Sequence, residues 1–324
     1  MEVTTQKIEL FIIENICWFM IAFFFIAFAV AKPAMINPDF IIFMIYSAIP
    51  LGFLVLAQTI VIINGNLDLS CAAITGFVGT VAGLFLMSNR AFPPYLSILV
   101  PICLGIVCGA LNGFLIGPLG FNPFLVTLAT QLVFLGGRFL FYKSTISGKD
   151  LPGVYLLLGG NSILAIASFI VILLSLWFFL NHTHYGIHLY ACGANPDTSF
   201  MMGISLKKYR FFAFTLSGLF AGLSALYYSG YDNAVPITMA NESLFPSFAG
   251  AVMGGVSLGG GRGSVVNAFA GTLLLAVIEG GLTLYGISPT EREVAYGLLV
   301  ILAIVVNKAR ESVRDKILKP KTKR

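Results

Sequence analysis

The chain has 324 residues, of which 58% are hydrophobic and 10% charged, with a mean hydropathy of +0.92 and a formal net charge of +5. Soluble domains carry roughly a quarter charged residues, so a soluble fold is excluded and an all-α integral membrane protein is expected. Apolar runs of about 20 residues, each enough for one helical crossing of the hydrocarbon, follow one another with short connections. No separate soluble domain fits between them, and residues 1–324 read as a single transmembrane domain.

Hydropathy marks about ten spans in chain order, near residues 12–31, 41–63, 70–88, 96–117, 123–141, 162–180, 210–231, 244–257, 264–285 and 294–307. The first is read as a retained helix, not a secretory leader. Glu9 and Glu14 stand at its start, only Lys7 precedes them, and a small-x-small cleavage site is absent. Pro50 and Pro101 fall inside the second and fourth spans, where neighbouring helices must satisfy the carbonyls they free. The five cysteines (Cys17, Cys71, Cys103, Cys108 and Cys192) are odd in number and show no paired spacing, which reads as packing.

Between the second and third spans the chain reads Gly65-Asn66-Leu67-Asp68-Leu69-Ser70. An acid at membrane depth is costly and marks function by default. At the membrane surface Asp68 would instead cap the helix beginning at Leu69, and this is the favoured reading. Within later spans, Asn112, Thr127, Gln131 and Thr272 are expected to make interhelical hydrogen bonds. His182, His184 and His188 open the long connection 182–209, but no cysteine or acid at ligand spacing completes a metal site.

That connection carries a helix start at Asn195-Pro196-Asp197, where Asn can cap and Pro suits the first helical position. Gly203 can end the helix two turns later. Ala194, Phe200, Met201, Met202 and Ile204 give it an apolar face outside the membrane. Such a face suits a docking helix for a partner protein, and equally a helix lying on lipid.

A second broken stretch, Gly254-Gly255-Val256-Ser257-Leu258-Gly259-Gly260-Gly261-Arg262-Gly263-Ser264, interrupts the eighth and ninth spans. It lacks the Gly-Lys-Ser/Thr order of a phosphate loop, so no ATPase site is expected in this chain. Aligned by eye, Gly65–Leu69 falls on Gly254–Leu258. Matched broken helices in two halves of a membrane chain are the signature of a transport pathway between structural repeats, which makes Gly65, Asn66, Asp68, Ser70, Gly254, Gly255, Ser257, Gly259 and Gly260 candidate pathway residues. Glu279, the one acid deep in a span, joins them; pairing with a donor on another helix is its favoured role.

With the N-terminus inside and ten crossings, 13 of the 19 Lys and Arg residues fall on the cytoplasmic side, eight of them in the tail 308–324. The positive-inside bias therefore places both termini in the cytoplasm, and the tail has anionic membrane lipid within reach.

These segments together resemble the membrane-spanning permease subunits of bacterial ATP-binding-cassette importers of the ribose, xylose, galactose and autoinducer-2 class. The resemblance is carried by G-x-L-D-L-S at 65–70, G-A-L-N-G at 109–113 and P-F-L-V-T-L-A-T at 123–130. It continues through Y-A-C-G-A-N-P with M-G-I at 190–204, the glycine-rich stretch 254–264, and Gly286-Ile287. It implies a ten-helix permease with a pseudo-repeat in the bacterial inner membrane, paired with a second copy or a paralogue. It further implies ATP-binding subunits docked on a coupling helix that includes Gly193, Asn195, Pro196, Met201, Met202, Gly203 and Ile204, and an extracytoplasmic solute-binding protein delivering a sugar. No cofactor, metal, nucleic acid or covalent chemistry is implied. Asn66, Cys71-Ala72-Ala73 and Glu279-Gly280 depart from the family's usual residues, which leaves pentose, hexose, nucleoside and signalling furanose as substrate classes. The rival reading is an ion-coupled secondary transporter, which would bury several coupling acids where this chain offers Glu279 and Asp68.

Overall fold

The computed structural model describes residues 15–318; Lys7, Glu9, Glu14 and the end of the basic tail, 319–324, lie outside the described residues. The described chain is helical almost throughout. It begins with α1 (Ile16–Ala31), a 3-10 turn (Pro33–Ile36), α2 (Pro38–Ser47), α3 (Ile49–Ile63), α4 (Cys71–Ser88), α5 (Leu99–Ile116) and α6 (Pro123–Phe141). It continues with α7 (Gly153–Gly160), α8 (Ser162–His182), α9 (His184–Ala194), α10 (Pro196–Met201) and α11 (Leu206–Tyr231). It ends with α12 (Leu244–Met253), α13 (Val265–Leu284) and α14 (Pro289–Leu318). One short antiparallel pair, β1 (Ile146–Ser147) and β2 (Ala234–Val235), aligns Ile146 with Val235.

Asparagine starts several of these helices. The side chains of Asn37, Asn122 and Asn161 accept backbone N–H groups of the first turns of α2, α6 and α8, and Pro38 and Pro123 occupy first positions, where no intrahelical bond is lost. Pro101 belongs with them, because α5 begins only at Leu99 and Pro101 sits in its first turn. Pro50 lies just past a 44° bend between α2 and α3, and the Ser224 hydroxyl of α11 donates to its carbonyl at 2.8 Å.

Six described helices are long and apolar enough to cross a membrane: α4, α5 with the turn before it, α6, α8, α11 and α13. The bent pair α2–α3 makes a seventh. The expected spans at 12–31, 244–257 and 294–307 are helical too, yet fall short of that standard. Only 16 residues of the first are described in α1, and α12 has 10, about 15 Å of rise. The last span lies inside α14, which carries Glu291, Arg292 and Glu293 at one end and Lys308, Arg310, Glu311 and Arg314 at the other.

All fifteen residues of α3 are buried, so this helix forms the axis of the core. α11 lies beside it and packs along α5. Gly105, Gly109 and Gly113 of α5 and its C-cap Gly117 recur every fourth residue and meet the backbone of α11 at Gly218, Gly222, Phe211 and Lys207. A Cβ placed on Gly109 would stand 2.7 Å from Gly218 Cα. Lipid offers no hydrophobic drive for helix association, so close backbone approach supplies the attraction through dispersion. A Gly109→Leu chain is expected to insert but lose the α5–α11 contact, seen as a lower melting temperature in detergent and faster trypsin cleavage; a wild-type profile would refute the contact.

Two expected interhelical bonds are internal instead. The hydroxyls of Thr127 and Thr272 donate back to Pro123 and Ala268 of their own helices, since a short hydroxyl reaches the carbonyl one turn earlier more easily than a neighbouring helix.

Candidate functional site

The two broken stretches are one structural device used twice. α3 ends with Gly65 at φ +75°, with hydrogen bonds from Gly65 N to Ile62 O (2.8 Å) and Asn66 N to Val61 O (3.0 Å). α12 ends with Gly255 at φ +95°, with Gly255 N to Val252 O (2.9 Å) and Val256 N to Ala251 O (3.1 Å). Both are left-handed glycine C-caps that satisfy the last carbonyls of a helix. The structural equivalence therefore pairs Gly65 with Gly255, one residue away from the alignment by eye, because the position needing positive φ fixes the register.

The two caps touch. Gly261 N donates to Ile63 O, the last carbonyl of α3, at 2.7 Å. A Cβ on Gly260 would stand 2.8 Å from Gly65 Cα. The end of α9 closes over both: a Cβ on Gly193 would lie 2.7 Å from Gly261 N and 2.9 Å from Ile63 C. Two side-chain bonds hold α9 there, Asn64 Nδ2 to Leu189 O (3.4 Å) and Tyr190 Oη to Gly263 O (2.9 Å). Segments near residues 65, 193 and 260 thus form one backbone-to-backbone junction at the end of the bundle that also carries Lys207, Lys208, Arg262 and Arg310, here called the basic end.

α10 continues directly from that junction. The Asn195 side chain accepts Thr198 N at 3.0 Å, Pro196 takes the first helical position, and Gly203 ends the helix at φ +80°. Phe200, Met201 and Met202 are 72%, 85% and 77% exposed, while Ser199 is buried. α10 is therefore an apolar tip joined through α9 to the end of α3 and to the glycine loop after the second cap.

Asp68 lies immediately behind the first cap and is fully buried. Its Oδ1 accepts Ser70 N (2.8 Å) and Ser70 Oγ (2.6 Å), and its Oδ2 accepts Ser217 Oγ of α11 (2.7 Å). Asn112 Nδ2 of α5 donates to Ser70 Oγ (2.8 Å), and Gln58 Nε2 of α3 to the Asp68 carbonyl (2.7 Å). The carboxylate does bind a backbone N–H ahead of α4, which starts at Cys71, and the Ser217 hydroxyl of α11; with the bonds of Asn112 and Gln58 the network links α3, α4, α5 and α11. Asp68→Ala strands two serine hydroxyls and one N–H in the core and should cost roughly 3–5 kcal/mol, the range for breaking a buried charged network. Asp68→Asn keeps an acceptor and should cost less. Melting of both proteins in detergent checks the order, and equal losses would contradict it.

Two clefts flank this hub. One of about 170 Å³ is lined by Gln58, Asp68, Leu244, Phe245 and Val300. Another of about 400 Å³, bordered by Asn241, Glu242, Glu293 and Tyr296, shares Phe245 and Val300 with it. The remaining candidates scatter. Ser70 is buried beneath Asp68; Asn66 bonds back to Asn64; Gly254 packs on Ala268 of α13. Ser257 Oγ donates to Glu311 Oε1 at 2.6 Å, and Gly259 is exposed. Glu279 stands 14 residues up α13 from Val265, about 21 Å from the junction, with Arg292 Nη1 at 3.8 Å.

Gln58, Ser217 and Arg138 escape a reading of the sequence. Single polar residues in apolar runs carry no periodic signal, and Arg138 is buried and donates to Met239 O at 3.1 Å and to Asn241. The glycine repeat of α5 was visible as spacing. Among the described residues no group of three His, Cys, Asp or Glu could hold a metal ion, and His188 Nδ1 lies 2.6 Å from Tyr209 Oη.

A family model described as branched-chain amino acid transport system / permease component matches residues 40–306. The chain is 32% identical over 267 residues to the fructose import permease protein FrcC of Rhizobium meliloti, covering 79% of this chain and 74% of that protein. It is 27% identical over 289 residues to the autoinducer 2 import system permease protein LsrD of Photorhabdus temperata, covering 86% of each. It is also 29% identical over 272 residues to a probable ABC transporter permease protein, y4mJ, of Sinorhizobium fredii, covering 83% of this chain and 81% of that one. No solved structure matches the chain.

Proposed function

The chain belongs to the branched-chain amino acid transport system / permease component family, and on that premise we propose that it is the membrane-spanning subunit of an ATP-binding-cassette importer for a monosaccharide. The observation that supports this reading best is the mechanical link from an exposed apolar tip, through α9, into the end of α3 and the glycine loop after the second cap. A subunit driven from outside the membrane needs a handle and a rigid connection to its core, and α10 with the junction supplies both.

In this reading the basic end faces the cytoplasm, the chain crosses ten times, and both termini are cytoplasmic. An ATP-binding subunit seats Met201 and Met202 of α10, with Gly193, Asn195, Pro196, Gly203 and Ile204 fixing that helix in place. A second permease copy or a paralogue completes the assembly, and an extracytoplasmic binding protein delivers the solute. The clefts along Phe245 and Val300 form part of the pathway wall, with Asp68 at its inner end and Glu279 near its outer one. ATP is hydrolysed on the partner, and this chain makes and breaks no covalent bond. The names of the relatives, a fructose importer and an autoinducer 2 importer, favour a sugar or a sugar-derived furanose over an amino acid.

The test is purification of the chain from its own membranes in mild detergent, followed by vesicle uptake assays. A stoichiometric ATP-binding subunit and ATP-dependent uptake of a labelled pentose or hexose are expected. Uptake of leucine in place of sugar would overturn the substrate class, and uptake driven by an ion gradient with no ATP-binding subunit would overturn the mechanism.

A further inference from the structure

A cavity of about 530 Å³ opens at the basic end, between the second broken stretch, the start of α13 and the end of α14. Arg262, Arg310 and Arg314 all line it, together with Tyr190, Ser264 and Asn267, and no carboxylate among the described residues does. α13 enters the cavity N-terminus first: Ser264 precedes Val265 in extended conformation and its side chain caps none of the first-turn N–H groups. A twenty-residue helix carries about half a positive charge at that end. Three guanidinium groups and a helix N-terminus around one opening form a strongly electropositive pocket with donors suited to tetrahedral oxyanions.

Its depth identifies the source of the anion. The apolar stretch of α14 ends where Lys308, Arg310 and Arg314 begin, and Val294, Leu298, Ile301 and Val305 of the same helix are exposed. The pocket therefore stands at the boundary between hydrocarbon and water, at headgroup level, with an apolar helix face running away from it. We infer that this cavity is a binding site for a phosphate group, supplied by the headgroup of an anionic phospholipid. Because Arg310 lies against Gly255 of the second cap and Tyr190 of α9 lines the same cavity, an occupied site braces the junction beside α9. The inference is independent of what the chain transports.

Native mass spectrometry of the full-length protein in detergent, titrated with phosphatidylglycerol, phosphatidylcholine or inorganic phosphate, provides the test. Wild type should retain phosphatidylglycerol in preference to phosphatidylcholine. The double variant Arg262→Gln/Arg314→Gln should bind it roughly tenfold or more weakly, as expected for losing charge-assisted contacts. Lys207→Gln/Lys208→Gln, which removes the same charge from the basic end outside the cavity, should bind as wild type. Arginine-dependent binding of inorganic phosphate that competes with lipid would uphold the phosphate site and make free anion a second source. Equal loss in both double variants would reduce the effect to diffuse surface charge and overturn the site. Retention of neither phosphatidylglycerol nor phosphate by folded wild type, as for a socket reserved for a partner's carboxylate, would overturn it too.

Discussion

Replacing Met201 and Met202 together by Asp is expected to reduce ATP-driven uptake to background while leaving the protein inserted at wild-type levels. Both side chains point away from the bundle, 85% and 77% exposed, so the folded permease loses no internal contact. Their only large apolar burial would come from a docked ATP-binding subunit. Interface anchors of this kind cost about 2–4 kcal/mol when removed, and two carboxylates in a desolvated socket add a further penalty, so complex formation should fall more than about a hundredfold. The measurement is co-purification of the ATP-binding subunit alongside vesicle uptake. Normal uptake with both acids in place would show that α10 lies on lipid or water and that docking occurs elsewhere.

Gly193→Val is expected to abolish uptake by a different route, without touching the docking surface. Its first carbon would lie 2.7 Å from Gly261 N and 2.9 Å from Ile63 C, both backbone atoms that cannot swing aside. Relief requires α9 to move off the junction, breaking the Tyr190–Gly263 and Asn64–Leu189 bonds, and overpacking alone costs about 1–3 kcal/mol. The ATP-binding subunit should still bind and hydrolyse ATP, because α10 keeps its cap and its apolar tip, but hydrolysis should no longer drive import. Gly136→Ala, where an added Cβ meets nothing within 4 Å, is the control and should transport normally. Import by the Gly193 variant at the control's rate would remove the junction from the coupling path.

What the sequence disclosed follows the range of the forces involved. Helices of α4, α5, α6, α8, α11 and α13 lie close to their hydropathy spans because a crossing needs an uninterrupted apolar run. The Asn195-Pro196 start and the Gly203 stop were legible because capping is local. The pairing of the two breaks was legible in kind but one residue out of register, since glycine content was matched where the backbone requires positive φ at Gly65 and Gly255. The meeting of Ile63, Gly193 and Gly261 was not legible at all, because it joins backbone atoms of residues far apart in the chain. The Asp68 network was half visible: the acid stood out and Asn112 was expected to bond between helices, as it does to Ser70, whereas Gln58 and Ser217 look alike to any pattern of polarity.

The glycines of α5 set a limit on how this molecule can work. Seated at every fourth residue against α11, they behave as teeth with a spacing of about 6 Å, so the two helices cannot creep past one another by a fraction of that step without first separating. Any alternation between inward and outward states must carry α5 and α11 as a single block and find its hinge in another place. The 44° bend at Ala48, where α2 meets α3, is the break nearest that block: a hinge there would move α2 and leave the fully buried α3 in place.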